Sequence, residues 1–148
     1  MRRRQTVPRQ WLIIADQGTI APAFRLPRGS GILLLQPLSG RAMRRLRQSA
    51  RQRSLTIVKE QRGTAKRVHN VRELRGALLA RTPLNLLSPL YPTSSHPGWK
   101  PIPRMRAAAL ARLGERKLLA LGGMDARKYA LVKRLGFRGW AGISAFRT

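Results

Sequence analysis

Short apolar runs recur along this chain without the polar alternation of a half-exposed sheet. They occupy residues 11–15, 31–35, 54–58, 84–87, 117–121 and 139–143, and a further short strand is expected to end at His69. Continuous runs of this kind are typical of parallel strands that are buried on both faces. Because segments with helical spacing separate most of them, we expect α/β architecture built from βαβ units, with six or seven parallel strands.

Apolar spacing and capping residues predict the helices of these units. They are expected over residues 41–53, from Asn70 to Pro83, over residues 104–113, and from Asp125 to Gly136. Asn70 and Asp125 are suited to cap helix N-termini, since their side chains can accept a hydrogen bond from a first-turn amide. No stretch indicates a second domain. Residues 11–148 are therefore predicted to form one domain, preceded by a basic, mobile segment at residues 1–10.

Composition excludes several classes of protein. The 148 residues are 43% hydrophobic, which is enough to bury one core. The absence of cysteine excludes disulfide scaffolds and thiolate metal sites and fits a reducing compartment. The apolar runs are far shorter than the roughly 20 residues that a membrane span needs. The run after the basic N-terminus is also too short for a secretory signal, so a cytoplasmic protein is predicted.

The charge of the chain is extreme. Lys and Arg number 31 against five Asp and Glu, a formal net charge of +26. Such a charge attracts polyanions, which include nucleic acid, anionic membrane surfaces and phosphorylated small molecules. The sequence contains no zinc-finger spacing and no aromatic RNA-binding motif, and aromatic residues are only 5% of it. Charge alone therefore leaves the kind of partner open.

Candidate functional residues lie where strands end, because the carboxyl ends of parallel strands carry the sites of βα folds. The apolar run at residues 84–87 ends in a Pro-rich loop that contains three hydroxyls and a histidine. These are Thr93, Ser94, Ser95 and His96. Gly122-Gly123 and Ser144 follow the last two strands. Hydroxyls and glycine amides are good phosphate donors, so this set indicates anion binding more than acid–base catalysis.

Three segments resemble a known family. Residues 87–98, 119–124 and 140–145 resemble the last three strand–loop motifs of the thiamine phosphate synthase and thiazole tautomerase superfamily, and residues 11–16 and 31–36 are similar to its first two strands. The resemblance implies a (β/α)₈ TIM-like barrel. Because such barrels need about 200 residues or more, a shortened or incomplete barrel is expected. A βα unit is predicted to be missing between Val58 and Asn70.

The resemblance also implies a reaction and roles for residues. A transferase of thiamine biosynthesis would join hydroxymethylpyrimidine diphosphate to thiazole phosphate and release pyrophosphate. The phosphate-binding residues implied are Thr93, Ser94, Ser95, Gly122, Gly123 and Ser144. Gln36 and Lys59 would lie on the pyrophosphate side, and His96 stands where the family has a lysine. The family uses Mg²⁺, for which Glu60 is the nearest candidate ligand because the family's two aspartates have no clear counterpart.

These departures leave open whether the activity is reduced or lost, and two alternatives stand beside it. A thiazole tautomerase-like isomerase would need a proton carrier and no Mg²⁺, and His96 could serve. A non-catalytic barrel that binds polyanions, nucleic acid above all, would account for the charge. The partners expected are phosphorylated thiazole and pyrimidine molecules, with nucleic acid open and no membrane.

Overall fold

In the computed structural model, residues 7–146 are described, and within them seven parallel strands form a single sheet. The strands are β1 (Gln10–Ile14), β2 (Gly31–Leu34), β3 (Thr56–Lys59), β4 (Ala65–Val68), β5 (Leu84–Leu87), β6 (Leu119–Ala120) and β7 (Gly139–Gly142). The helices are α1 (Gly40–Arg53), α2 (Val71–Leu79), α3 (Arg104–Leu113) and α4 (Ala126–Val132). Strand, helix and strand thus follow one another much as the apolar runs predict. Strand bounds are shifted by at most two residues, whereas α2 and α4 end three or more residues before the predicted Pro83 and Gly136.

The sheet curves into a nearly closed barrel. Its strand order is β3-β2-β1-β7-β6-β5-β4, so the first strand pairs with the last as well as with the second. Leu12 of β1 is in register with Ile32 on one side and with Gly142 on the other. Strands that are consecutive in the chain are neighbours in the sheet, with one exception. β3 and β4 do not pair, and this interruption leaves them as the two edges of the sheet. The predicted α/β, TIM-like class is confirmed, with seven strands in place of eight.

The interruption lies where a βα unit was expected to be missing. Only residues 60–64 connect β3 to β4, and they form a turn in which the amides of Thr64 and Ala65 reach the Gln61 carbonyl. In this family of folds a helix normally carries the chain back from one parallel strand to the next. Since no helix fits into five residues, the two strands do not pair and the barrel stays open there.

The core has two layers. Inside the barrel, side chains of alternate strand residues pack together, among them Trp11, Ile13 and Leu86. The opposite faces of the same strands pack against the helices, for example Leu34 beneath Leu46 of α1. Burial on both faces explains why the strands are continuously apolar. It also leaves the strand ends as the place where polar side chains can gather.

Two further findings concern the ends of the chain and the membrane. Residues 1–6 of the predicted mobile segment lie outside the described residues, while Gln10 already belongs to β1. The buried Pro8 accepts a 2.9 Å hydrogen bond from the Trp11 indole. In the part of the chain that the structure describes, no helix combines the length and apolar character needed to cross a bilayer.

Candidate functional site

A pocket of about 80 Å³ lies at the carboxyl ends of the strands. Residues from the ends of β1, β2 and β4 to β7 line it, whereas β3 contributes none. Its floor is apolar and includes Ile13, Leu121 and Ile143. Its rim is polar, with hydroxyl, imidazole and guanidinium groups and the Gly122-Gly123 backbone. This is where a (β/α) barrel carries its site.

The loop after β5, residues 88–103, forms one wall and is fixed to β6. The amides of Leu90 and Tyr91 donate to the carbonyls of Leu121 and Gly122, at 3.0 and 3.1 Å. This packing explains the two glycines. Their φ angles are +100° at Gly122 and +59° at Gly123, and a Cβ on Gly123 would lie 2.3 Å from the Pro92 carbonyl oxygen. The glycines are thus required by the loop contact itself.

The hydroxyls of this loop surround a second, adjoining pocket. Thr93 and Ser144 line both pockets, and Ser94 lines only the adjoining one. The Thr93 oxygen accepts from the Ser95 amide at 3.2 Å, which leaves its proton free to donate. The adjoining pocket also contains Lys128, whose Nζ donates to the Gly123 carbonyl at 2.9 Å and lies 5.3 Å from the centre of the Tyr91 ring. It therefore combines a cation and hydroxyl donors with one carboxylate, Asp125, whose Oδ1 accepts from the Lys128 amide at 2.8 Å.

His69 stands at the end of β4 and is held from both sides. Its backbone amide donates to Glu73 Oε2 at 3.0 Å, and its Nδ1 lies 3.0 Å from the Ser88 carbonyl and 3.1 Å from the Ser88 hydroxyl. A carbonyl oxygen only accepts, so the proton on Nδ1 satisfies this contact. Nε2 is then the nitrogen left for a ligand.

Trp99 joins His69 to His96. The Trp99 ring stacks on His96, with centroids 4.0 Å apart and planes 15° apart, and meets His69 edge-on at 5.1 Å. The three rings line the pocket as one aromatic wall, and Trp99 is 45% exposed. Such a wall can pack a planar heterocycle while the imidazoles offer polar atoms.

Among the described residues that line the main pocket, Arg67 is present and no Asp or Glu is. Arg67 of β4 holds Glu60 in a two-pronged ion pair, with nitrogen–oxygen distances of 2.7 and 2.9 Å. Across the described residues, no three His, Asp or Glu side chains come close enough to hold a metal. Mg²⁺ needs at least one or two carboxylates. This donor set does not fit a Mg²⁺ site, and the Mg²⁺ requirement stays a prediction for assay.

Six of the residues predicted from sequence come together in the main pocket. They are Thr93, Ser95, His96, Gly122, Gly123 and Ser144. The others lie elsewhere: Ser94 is in the adjoining pocket, Glu60 is paired with Arg67, and Gln36 is exposed beyond β2. Lys59 lines a separate groove beside Trp11 and Met43. The roles predicted for these residues remain untested.

Sequence reasoning missed four residues of the site. They are Arg67, Ser88, Trp99 and Lys128. Trp99 closes the same Pro-rich loop as His96, which was a usable signal. Lys128 lies in the first turn of α4, three residues after the N-cap Asp125. Its side chain reaches the pocket only because it turns back toward Gly123.

The chain resembles known proteins in its fold. No family model matches the chain. No curated protein matches it either. Among solved structures, thiamine phosphate pyrophosphorylase from Pyrococcus furiosus superposes with a TM-score of 0.68, covering 97% of this chain and 89% of that one, at 14% sequence identity. The chain has the fold of that protein.

The superposition confirms, at the level of fold, the resemblance that residues 84–146 suggest. At 14% identity, the likeness shows the path of the chain alone. The activity must therefore be argued from the pocket.

Proposed function

We propose that this barrel binds phosphorylated thiazole and pyrimidine molecules as a thiamine phosphate synthase-like protein. The observation that carries the proposal is the pairing of two pockets at the carboxyl end of the barrel. One has an apolar floor and an aromatic wall, and the other has hydroxyls and Lys128. The shared fold with a thiamine phosphate pyrophosphorylase supports the same substrate class.

The adjoining pocket would take the phosphate of the thiazole. Thr93, Ser94 and Ser144 supply hydroxyl donors, and Lys128 supplies a positive charge. Charge-assisted hydrogen bonds to phosphate are about twice as strong as neutral ones, so Lys128 is the strongest single contact expected there. The Gly123 backbone lies between the two pockets and would contact both ends of the ligand.

The main pocket would hold the heterocycles against the aromatic wall. His69, His96 and Trp99 present faces and edges over which a thiazole or pyrimidine ring can pack. Arg67 lines the same pocket and would face a pyrophosphate group while it is ion-paired with Glu60, whereas Gln36 and Lys59 do not line this pocket.

The proposed reaction forms one bond and breaks one. The thiazole nitrogen donates its lone pair to the pyrimidine methylene carbon as the bond from that carbon to the pyrophosphate oxygen breaks, and the electron pair leaves with pyrophosphate. No proton transfer is needed, so the protein contributes positioning and charge neutralisation. With one guanidinium already paired to Glu60, these residues neutralise a pyrophosphate only in part, which favours slow turnover over fast.

Isothermal titration with thiazole phosphate tests the proposal. Wild-type protein should bind, and Lys128→Met should weaken binding by about tenfold through loss of one charged contact. Lys133→Met is the matched control, because Lys133 is exposed and lies outside both pockets. Absence of binding by wild-type protein, or an equal effect of both variants, would contradict the phosphate site.

Turnover is tested separately, with hydroxymethylpyrimidine diphosphate present and pyrophosphate release as the readout. Assays with and without Mg²⁺ decide whether a metal is required. If release is seen only with Mg²⁺, ligands outside the described carboxylates, such as the substrate phosphates, would have to hold it.

The tautomerase alternative predicts instead that thiazole carboxylate phosphate is isomerised without metal and that His96→Ala abolishes the reaction.

A further inference from the structure

The outer surface of α1 is strongly basic and lies outside the pockets. Leu46 and Ala50 are buried and fix the orientation of the helix against the sheet. Four arginines on the opposite side are exposed and form what we call the α1 arginine face. They are Arg41, Arg44, Arg45 and Arg51. The helix contains no acidic residue.

Neighbouring residues extend this face. Arg45 lies over the Phe24 ring at 5.0 Å, and Arg53 donates to the Phe24 carbonyl, so the segment before β2 is held against α1. Arg28 of the same segment is exposed and reaches the Gln52 carbonyl at 3.4 Å. The α1 arginine face is thereby widened across two segments.

The sequence supplies few carboxylates near this surface. Residues 17–59 include nine Lys or Arg and no Asp or Glu. The acidic residues that border this stretch are Asp16 and Glu60, and Glu60 is already paired with Arg67. Exposed arginines without acidic neighbours repel one another and cost stability. An anionic partner would remove that cost.

We propose that the α1 arginine face binds the phosphate backbone of nucleic acid without reading its sequence. Arg41 and Arg51 are ten residues apart, which is about 15 Å along a helix and about four base-pair steps along a duplex. Arginine guanidinium groups pair well with phosphate oxygens. The face carries arginine and glutamine and no aromatic residue, so phosphate contacts dominate over contacts to bases.

Two features favour nucleic acid over an anionic membrane. A helix that lies on a membrane inserts an apolar face beneath the headgroups. The apolar face of α1 is buried against the sheet, and no large apolar side chain of α1 is exposed. The surface can therefore contact phosphates but has nothing to insert into lipid.

This surface is separate from the ligand pockets. No residue of α1 lines the main pocket or the adjoining pocket. Failure of one proposal thus leaves the other standing, because Lys128→Met changes only the adjoining pocket and substitutions of the α1 arginines change only the α1 arginine face.

The test is fluorescence anisotropy of labelled duplex RNA and duplex DNA of unrelated sequences, at about 50 mM and about 200 mM salt. The α1 quartet R41Q/R44Q/R45Q/R51Q should weaken binding at least tenfold and lower the salt slope by about three to four. Glutamine keeps the helix, because its helix propensity is close to that of arginine. Circular dichroism verifies the fold of each variant.

The matched control is the quartet R106Q/R112Q/R127Q/R134Q, called the α3–α4 quartet, whose last member lies in the 3₁₀ turn Lys133–Leu135 that follows α4. It removes the same number of charges from exposed positions on the other side of the barrel. Affinity within about twofold of wild type is expected for it. Equal weakening by both quartets would mean attraction by net charge alone and would overturn the proposal. Binding to phosphatidylserine vesicles with none to either duplex would also overturn it.

Discussion

At the scale of single residues, Gly123 is the position with least freedom in the site. Its φ is +59°, and a Cβ there would approach the Pro92 carbonyl oxygen to 2.3 Å. We expect Gly123→Ala to lower the free energy of unfolding by more than about 2 kcal/mol, from backbone strain and the clash combined. Urea denaturation measures this change.

Gly76 provides the control for that substitution. It lies within α2, and a Cβ there meets nothing within 4 Å. Gly76→Ala should raise the free energy of unfolding by about 0.5–1 kcal/mol, since alanine is the better helix former. If Gly123→Ala were equally harmless, the loop after β5 would not be packed against β6 as described.

Tyr129 is a residue whose ionisation is linked to folding. Burial raises the pKa of its phenol above the ordinary value of 10.0, because the phenolate is poorly solvated there, and the charge of Arg9 partly opposes this rise. The hydroxyl also donates to the Phe137 carbonyl at 3.2 Å. The folded state therefore keeps the phenol neutral at a pH where the unfolded chain already ionises it.

The sign of the pH effect follows from that difference. Below about pH 10 the phenol is neutral in both states, and above it the unfolded state holds fewer protons, so stability falls as pH rises. Tyr129→Phe should remove part of this alkaline loss. Thermal unfolding of both proteins near pH 8 and near pH 11 checks it. The prediction is wrong if their difference in midpoint does not change between the two pH values.

At the scale of elements, the cap of α2 connects helix stability to the site. The Asn70 side chain accepts from the Glu73 amide at 2.9 Å, while the Glu73 carboxylate accepts from the His69 amide. Asn70→Ala should cost about 1 kcal/mol of stability, as cap removal does elsewhere. Asn70→Ser preserves a cap without placing a second carboxylate beside Glu73, and it should cost little.

The same pair of variants tests whether the cap positions His69. With Asn70→Ala the turn that holds the His69 amide loosens, so affinity for thiazole phosphate or the pyrimidine diphosphate should fall a few-fold in addition to the loss of stability. Titration at a temperature where both variants stay folded separates the two effects. Unchanged affinity in Asn70→Ala would mean that Ser88 alone fixes the ring.

The strands and helices are the part of this molecule that the sequence predicts best. Both-face burial produces continuous apolar runs, and these mark β1, β2 and β5 directly. The link between β3 and β4 was harder, since Lys59 follows a strand and should have lain at the site. It lies instead in the separate groove beside Trp11 and Met43, and β3 contributes nothing to the main pocket although β4, the other edge, does. A residue's position along a strand is readable from sequence, but the place of that strand in the sheet is set by pairing.

Some residues of the site can be predicted from the sequence and others cannot. The hydroxyls and glycines that follow β5, β6 and β7 could be anticipated because they are close to strand ends in sequence. Lys128 and Arg67 could not, since what makes them part of the site is the direction of their side chains. The engagement of Glu60 by Arg67 is likewise a contact across a turn that no spacing rule predicts.

At the scale of the whole molecule, net charge opposes folding. With 31 Lys and Arg against five Asp and Glu, most cations lack a carboxylate, and the ion pairs Glu60–Arg67 and Glu115–Lys117 can relieve only a small part of the repulsion. Compaction brings these charges together and so costs free energy. Salt screens such repulsion, with a Debye length of about 10 Å at 0.1 M.

Stability should therefore rise with ionic strength. Raising NaCl from about 20 mM to about 300 mM should increase the thermal midpoint by a few degrees, because screening shortens the range of repulsion. The α3–α4 quartet should show a higher midpoint than wild type at low salt and a smaller gain on adding salt, because it carries four fewer positive charges. Differential scanning calorimetry in a chloride buffer without phosphate measures both proteins and keeps specific anion binding out of the comparison. A midpoint that falls with added salt would mean that the few ion pairs outweigh the repulsion, contrary to the balance of charges in this chain.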